Sequence, residues 1–81
     1  MKIQVHFYAQ LRDLADVSKL IVDLRERATV AELLEKIYAV KPALRAHDKS
    51  ILVGAGVDFV GRDRVLSEGE EIAIMPPVQG G

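Results

Sequence analysis

The chain has 81 residues, the length of one small domain, which excludes an enzyme built around a deep cleft between two domains. Its 11 Lys and Arg against 12 Asp and Glu give a net charge of -1, without the basic excess of a nucleic-acid-binding protein. The absence of Cys excludes disulfides, thiolate zinc sites and a cysteine nucleophile. Because the start does not resemble a signal peptide and no apolar run has the ~18 residues of a membrane span, we expect a soluble, cytoplasmic protein.

The first half of the chain predicts two strands and two helices. Residues 2–8 alternate between apolar and polar side chains, the period of a half-buried strand. Residues 9–14 predict a short helix or helical turn, and residues 19–24 a second strand; the connection between the strands is too long for a tight hairpin turn but allows an antiparallel return. Thr29 followed by Glu32 three residues later is a capping-box pattern. It opens an amphipathic helix that ends before Pro42, because the residue preceding a proline avoids helical geometry.

The second half predicts three strands. Residues 51–55 form an apolar run of strand length, and residues 57–60 predict a short strand. Residues 67–70 predict a turn and residues 71–75 the last strand, which Pro76 and Pro77 end because neither can donate a backbone hydrogen bond.

This order of elements predicts a two-layer α+β domain. We expect a ubiquitin-like β-grasp, a mixed sheet of four to five strands covered by one long helix. A ferredoxin-like fold requires a second long helix, which the pattern lacks. Residues 1–81 form a single predicted domain, with a flexible C-terminal tail from about residue 76. The predicted core joins one helix face to the inward phase of the strands: Val30, Leu33, Leu34, Ile37, Ile3, Val5, Phe7, Val22, Leu24, Ile72 and Ile74.

Side chains with catalytic potential are scarce. His6 and His47 lie in polar phases and are interpreted as solvated surface residues, and no histidine–carboxylate cluster has metal-binding spacing. Gly54-Ala55-Gly56 resembles half of a dinucleotide-binding fingerprint but lacks its third glycine and its helix. It indicates a strand with a close backbone approach or a bulge. Glu70 and Glu71 are interpreted as turn and edge charges.

The most informative segment is the C-terminus, Pro76-Pro77-Val78-Gln79-Gly80-Gly81. Two terminal glycines arise by chance in only ~0.5% of chains. The prolines favour an extended exit from the sheet, and the glycines form a thread without side chains that fits a narrow channel. Because a free carboxylate is inert at neutral pH, this tail is useful only if another enzyme activates it.

Three segments resemble the ubiquitin-like sulfur carriers that form the small subunit of molybdopterin synthase. Residues 7–13 resemble the family's F-A-x-L-R-E run, residues 66–72 its L-x-x-G-D-E-V turn, and residues 76–81 its P-P-V-x-G-G end. Tyr8, Asp13 and Glu70 are conservative replacements of the family's Phe, Glu and Asp, and two other positions depart further from the pattern. Met75 stands where an aromatic residue is usual, and Gly56 where Asn is frequent.

The resemblance implies a carrier that is not catalytic alone. An ATP-dependent adenylating enzyme, related to the ubiquitin-activating enzymes, would adenylate the Gly81 carboxylate, and a sulfurtransferase would convert the adenylate to a thiocarboxylate. The tail would then enter the large subunit of molybdopterin synthase, in a heterotetramer, and supply sulfur for the molybdopterin dithiolene. The carrier itself would bind neither metal nor cofactor.

A docking surface is expected at the base of the tail. Tyr8 and Met75 are apolar but outside the core phase of their strands, and Phe59 has polar neighbours. Together they predict an apolar patch that a partner grips. Arg12, one helical turn after Tyr8, is predicted to add a charge at the rim.

Three alternatives stay open at the level of the sequence. The first is a sulfur carrier for thiamine or cysteine synthesis. The second is a ubiquitin-like modifier joined through Gly81 to lysines of target proteins, since both uses begin with the same adenylate. The third is a small binding domain whose Gly-Gly end is incidental.

Overall fold

The computed structural model describes residues 1–77, and the predicted alternation at the N-terminus forms strand β1, Lys2–Phe7. Tyr8 leaves the strand and precedes helix α1, Ala9–Ala15, so the predicted strand was one residue too long. Strand β2, Lys19–Asp23, pairs with β1 in the antiparallel orientation that the connection allows, and ends one residue before the predicted boundary.

Helix α2, Val30–Val40, begins at the predicted capping box. The Glu32 amide donates to Thr29 Oγ1 at 3.4 Å, and the Thr29 amide donates to Glu32 Oε2 at 2.9 Å. The helix ends before Pro42, where a 3-10 segment, Pro42–Ser50, begins. This segment was not predicted from the sequence. None of the helices within residues 1–77 is long and apolar enough to cross a membrane.

The second half supplies strands β3, Leu52–Ala55, β4, Asp58–Phe59, and β5, Glu71–Met75. Strand β4 is shorter than the predicted 57–60 because Gly56 and Val57 form the turn between β3 and β4. Gly56 has a φ of 63° there, a left-handed conformation that glycine adopts without steric cost and that Asn also tolerates.

The sheet has five strands in the order β2-β1-β5-β3-β4. The central pair, β1 and β5, is parallel, with Phe7 opposite Ile74, and the other pairs are antiparallel. Helices α1 and α2 contribute to one apolar core with the inward side chains of the sheet. This mixed five-stranded sheet confirms the predicted ubiquitin-like β-grasp, and α1 corresponds to the short helix predicted over residues 9–14, whereas the 3-10 segment adds helical structure that was not expected.

All the predicted core residues are buried, and Tyr38 and Leu44 join them. The Tyr38 hydroxyl donates to Asp48 Oδ1 at 2.6 Å, and Arg62 donates to the same oxygen at 3.0 Å and to the Asp48 carbonyl at 2.6 Å. The Tyr38 bond, followed by Arg62, lowers the pKa of Asp48. These bonds attach the 3-10 segment to α2 and to the loop after β4.

Candidate functional site

The chain leaves the sheet at the end of β5. Met75 is the last residue of that strand and lies opposite Leu52 of β3. The Tyr8 amide donates to the Ile74 carbonyl at 3.1 Å, which holds Tyr8 beside Met75. Pro76 and Pro77 follow outside the ladder, consistent with their missing N–H groups.

The predicted thread itself lies outside the described residues. Val78, Gln79, Gly80 and Gly81, the last of them the predicted site of adenylation, all belong to it. The chemistry assigned to Gly81 therefore stays a prediction. The described residues give the body that carries this thread and the surface at its base.

A shallow depression lies on the sheet face opposite the helices. His6, Ala73, Gly54 and Phe59 stand side by side across four strands, because each is the register partner of the next. The two middle residues have little or no side chain, which leaves a hollow. The depression has a volume of about 320 Å³, with Tyr8, Phe59 and Met75 among its lining residues.

Gly54 leaves room for the Met75 side chain above the backbone of β3. A Cβ atom added at Gly54 would lie 3.0 Å from Met75 Cε and 3.7 Å from the Ala73 Cβ. The Met75 side chain thus lies directly over the Gly54 backbone. Of the two interpretations of Gly54-Ala55-Gly56, a close approach to the backbone is confirmed, since β3 pairs with β5 in continuous register through Gly54 and Ala55.

Three of the four residues predicted for partner binding meet around this depression. The exposed fraction is 50% for Tyr8 and 65% for Phe59, and Met75 is half-buried. Arg12 is exposed on α1 and is not one of the lining residues. The placement agrees with the expected apolar patch, while its binding role, and that of Arg12, stay predictions.

The backbone beside Tyr8 is strained. Ala9 has a φ of 52°, a left-handed conformation that costs an L-residue with a Cβ atom ~1–2 kcal/mol. This sharp change of direction separates the end of β1 from the start of α1. It leaves Tyr8 at the rim of the depression rather than in the helix or the strand.

A polar pair lies next to the apolar lining. His6 Nε2 is 3.2 Å from Glu71 Oε1, and the His6 side chain is 30% exposed. His6 is therefore half-buried and has a carboxylate partner, unlike the solvated residue that was predicted. Both residues line a second hollow of about 250 Å³ that shares Tyr8 and Gly54 with the first.

Glu70 lies in the predicted turn, as expected for a turn charge. Its carboxylate lies 2.6 Å from Arg64 Nη2, and its side chain is only 18% exposed. The bond from Arg64 lowers the pKa of Glu70. Its other oxygen accepts from the Ser67 amide at 3.0 Å, so the Glu70 side chain stabilises the turn.

The role of small residues in the depression was missed in the sequence interpretation. Ala73 falls on the outward phase of β5, whose inward phase was predicted, and this alternation is the signal that locates it. Gly54 was predicted as a close backbone approach, but its position opposite Ala73 in a depression was not. Within residues 1–77 no group of three His, Asp or Glu side chains is arranged to hold a metal ion. The arrangement offers an apolar docking surface at the base of the C-terminal segment.

Comparison with known proteins assigns the family. The model of the ThiS family matches residues 5–81. The molybdopterin synthase sulfur carrier subunits of Chlamydomonas reinhardtii and Escherichia coli are each 34% identical to the chain over 83 residues. These alignments cover all of this chain and all of the algal protein, and 98% of this chain and 99% of the bacterial one.

A solved structure agrees with this assignment. SAMP1 from Haloferax volcanii, a small archaeal modifier protein, superimposes with a TM-score of 0.88 at 26% identity, and the match covers 100% of both chains. The sequence motifs, the β-grasp sheet and the family match over nearly the whole length all agree, and the chain belongs to the ThiS family.

Proposed function

We propose that this protein is the sulfur carrier subunit of a molybdopterin synthase and acts in the cytoplasm. The observation that carries the proposal is the position of the apolar depression. It lies at the end of β5, where the chain continues through Pro76 and Pro77 toward the glycine terminus. The full-length relatives from an alga and a bacterium carry the same name.

The proposed reaction begins at the Gly81 carboxylate. One of its oxygens attacks the α-phosphorus of ATP on a separate adenylating enzyme and releases pyrophosphate. The terminal sulfur of a persulfide on a sulfurtransferase then attacks the acyl carbon, and AMP leaves. A thiol cleaves the S–S bond of the resulting acyl disulfide, which releases the carrier's sulfur as the thiocarboxylate and leaves the sulfurtransferase as a disulfide with that thiol. The product is a thiocarboxylate, an anionic nucleophile at neutral pH. Two such sulfurs, delivered in turn, build the dithiolene from cyclic pyranopterin monophosphate.

A partner that binds the depression would also position the C-terminal tail. Tyr8, Phe59 and Met75 present apolar surface beside the last sheet residue, so a partner that covers them also fixes where the tail begins. We expect the large synthase subunit and the adenylating enzyme to use this surface. The catalytic lysines and arginines would belong to the large subunit.

The test is a change in the length of the tail. Deletion of Gly81, or addition of one residue after it, is expected to abolish acceptance of sulfur, because the reactive carbonyl must be terminal and at a set reach from Pro77. Gln79→Ala keeps the length and the terminal glycine and is the matched control. Sulfur incorporation is measured by intact mass after incubation with the activating enzyme, ATP and a sulfur donor. A shortened chain that still accepts sulfur overturns the proposal, and circular dichroism melts check that each variant folds.

A ubiquitin-like modifier is the second candidate. The observation in its favour is the similarity to SAMP1 over the full length of both chains. The intact mass of protein recovered from its native cell separates the two functions. A sulfur-for-oxygen shift on the free chain supports the carrier, and ladders of conjugates support the modifier. Reconstitution with a molybdopterin synthase large subunit separates the proposed pathway from thiamine or cysteine synthesis.

A further inference from the structure

Within residues 1–77, the outer backbone edge of strand β2 has no paired strand. The Leu24 amide donates to the Met1 carbonyl at 2.8 Å, and the Phe7 amide donates to the Ser18 carbonyl at 2.9 Å. In an antiparallel ladder the residues bonded to the neighbour alternate with residues whose polar groups point away. Ser18 and Leu24 face β1, so the N–H and C=O groups of the odd-numbered residues, Lys19, Ile21 and Asp23, point outward from the sheet.

The two edges of the sheet are protected to different degrees. Strand β4, at the other edge, has only two residues, and short edge strands resist pairing with other chains. Strand β2 has five residues, KLIVD, without a proline, and Ile21 at its centre is 50% exposed. The β2 edge therefore offers apolar surface and free backbone groups for another strand.

The charges on this edge are complementary to those on the same edge of a second, antiparallel copy. Lys19 and Asp23 lie two residues before and two residues after Ile21, and both are exposed. We propose that a second copy of this chain pairs with the edge, β2 against β2 in antiparallel orientation, with the two-fold axis at Ile21. Lys19 of each copy then faces Asp23 of the other, and the two Ile21 side chains face each other.

This register satisfies the outward backbone groups. Each pair formed by the odd-numbered residues exchanges two backbone hydrogen bonds, because these are the residues that do not bond to β1. The opposite charges lie directly across the new strand pair, where cross-strand partners attract. The existing Lys2–Asp23 ion pair, 3.0 Å long and exposed, does not compete strongly, since exposed pairs contribute little.

The helix side of the edge adds apolar contact. A groove of about 440 Å³ between β2 and α2 is lined by Leu20, Val22 and Val40, and Val40 is 60% exposed. In the proposed register Leu20 faces Val22 of the second copy. Lys36 and Lys41 also line the groove. Their repulsion across the axis limits the affinity, so we expect a dimer that forms in the micromolar to millimolar range.

The dimer leaves the proposed docking site free. Strand β2 and strand β4 are at opposite edges of the sheet, and the depression is lined from β3, β4, β5 and Tyr8. A dimer would therefore carry two separate tails with both depressions open. The proposal does not depend on sulfur transfer.

Charge reversal tests the register. Lys19→Asp places acidic residues opposite each other across the dimer, and Asp23→Lys places basic residues opposite each other. For each variant alone, the dissociation constant of the dimer is therefore expected to rise at least about tenfold. An equimolar mixture of the two variants restores opposite charges at both positions. It is expected to form a mixed dimer at least as stable as the wild type. Lys49→Asp, an exposed residue of the 3-10 segment, makes the same change of net charge as Lys19→Asp and is the matched control.

Sedimentation equilibrium of the full chain from about 10 µM to about 1 mM gives the readout. For the wild type, the control and the mixture, the average mass is expected to rise from monomer toward dimer as the concentration increases. For each single variant, the same rise is expected only at higher concentration. A wild-type mass that stays monomeric throughout overturns the proposal, as does a mixture that dissociates like its components. An effect of Lys49→Asp equal to that of Lys19→Asp also overturns it, because net charge alone would then be responsible. Thermal melts confirm that every variant folds.

Discussion

Replacement of Phe59 by Glu tests the docking surface directly. Phe59 is 65% exposed on the two-residue strand β4, so its side chain contributes little to the core. In the proposed complex the partner covers this exposed ring. Phe59→Glu should therefore weaken binding to the large subunit while the stability of the free protein changes little.

The expected size of the effect follows from the exposed area. A phenylalanine offers roughly 200 Å² on full burial, and 65% of that, as exposed here, is roughly 130 Å². At ~25 cal/mol per Å², full coverage is worth at most about 3 kcal/mol. A partner that covers half of this area still loses about 1.6 kcal/mol when the ring is removed. We therefore expect affinity to fall at least tenfold, about 1.4 kcal/mol.

Isothermal titration calorimetry of each variant against the large subunit measures this loss. Val65→Glu is the matched control, because Val65 is 48% exposed and does not line the depression. Met75→Glu should reproduce the effect of Phe59→Glu. Unchanged affinity in both variants refutes the assignment of this surface. A loss as large in the control would mean that added negative charge, rather than the depression, is responsible.

Three further predictions concern the core, the acid limit and the depression. Leu34→Ala should lower the free energy of unfolding by about 2–5 kcal/mol, the range for a buried leucine, because Leu34 is 1% exposed; urea unfolding measures it. The bond from Arg25, followed by the Thr29 amide, lowers the pKa of Glu32 from 4.5 to about 2. The stabilisation that the Glu32 carboxylate provides is therefore present above pH 4.5 and is lost as the pH falls toward 2. In Glu32→Gln, the urea midpoint of unfolding should therefore change less between pH 4.5 and pH 2 than in the wild type. Gly54→Leu should fill the hollow beneath Met75 and weaken binding to the large subunit about tenfold in calorimetry, with a smaller loss of stability than Leu34→Ala.

Each of these three has a contradicting outcome. A Leu34→Ala loss under about 0.5 kcal/mol is the size of a surface effect and would show that the helix face is misassigned. For the acid limit, Glu26→Gln is the control, because Glu26 is exposed and its side chain makes none of the bonds of Glu32. An equal reduction of the midpoint change in both variants contradicts the role of Arg25. Wild-type affinity in Gly54→Leu would show that the hollow receives no partner group.

Much of the fold could be predicted from local patterns. The alternation in β1 and the i, i+3, i+4, i+7 spacing in α2 identified which faces are buried, because strand and helix geometry repeat over a few residues. The capping box located the start of α2 to the residue. Pro76 and Pro77 marked the end of β5 by their missing donors. The Gly-Gly terminus and the three motifs indicated the family before any tertiary contact was known.

These local patterns did not predict the 3-10 segment. Residues 42–50 have no strong local preference that specifies it, and its attachment depends on Tyr38, Asp48 and Arg62. These three residues come from α2, the segment itself and the loop after β4. Tyr38 was accordingly missed as a core residue, since its hydroxyl is satisfied by a partner ten residues away in the chain.

The candidate site shows most clearly which features follow from the sequence alone and which depend on the tertiary structure. From the sequence alone, the Gly-Gly end predicted a tail that another enzyme activates, Tyr8 and Met75 were placed outside the core phase of their strands, and Phe59 was placed among polar neighbours. Only the tertiary structure decided that they surround one hollow, because the strand order β1-β5-β3-β4 joins segments far apart in the chain. The parallel pairing of β1 and β5 sets Tyr8 beside Met75, and the pairing of Gly54 with Phe59 and Ala73 opens the space between them. Strand register is a long-range property set by packing of the whole sheet, so local periodicity specifies the faces of the strands but not their neighbours.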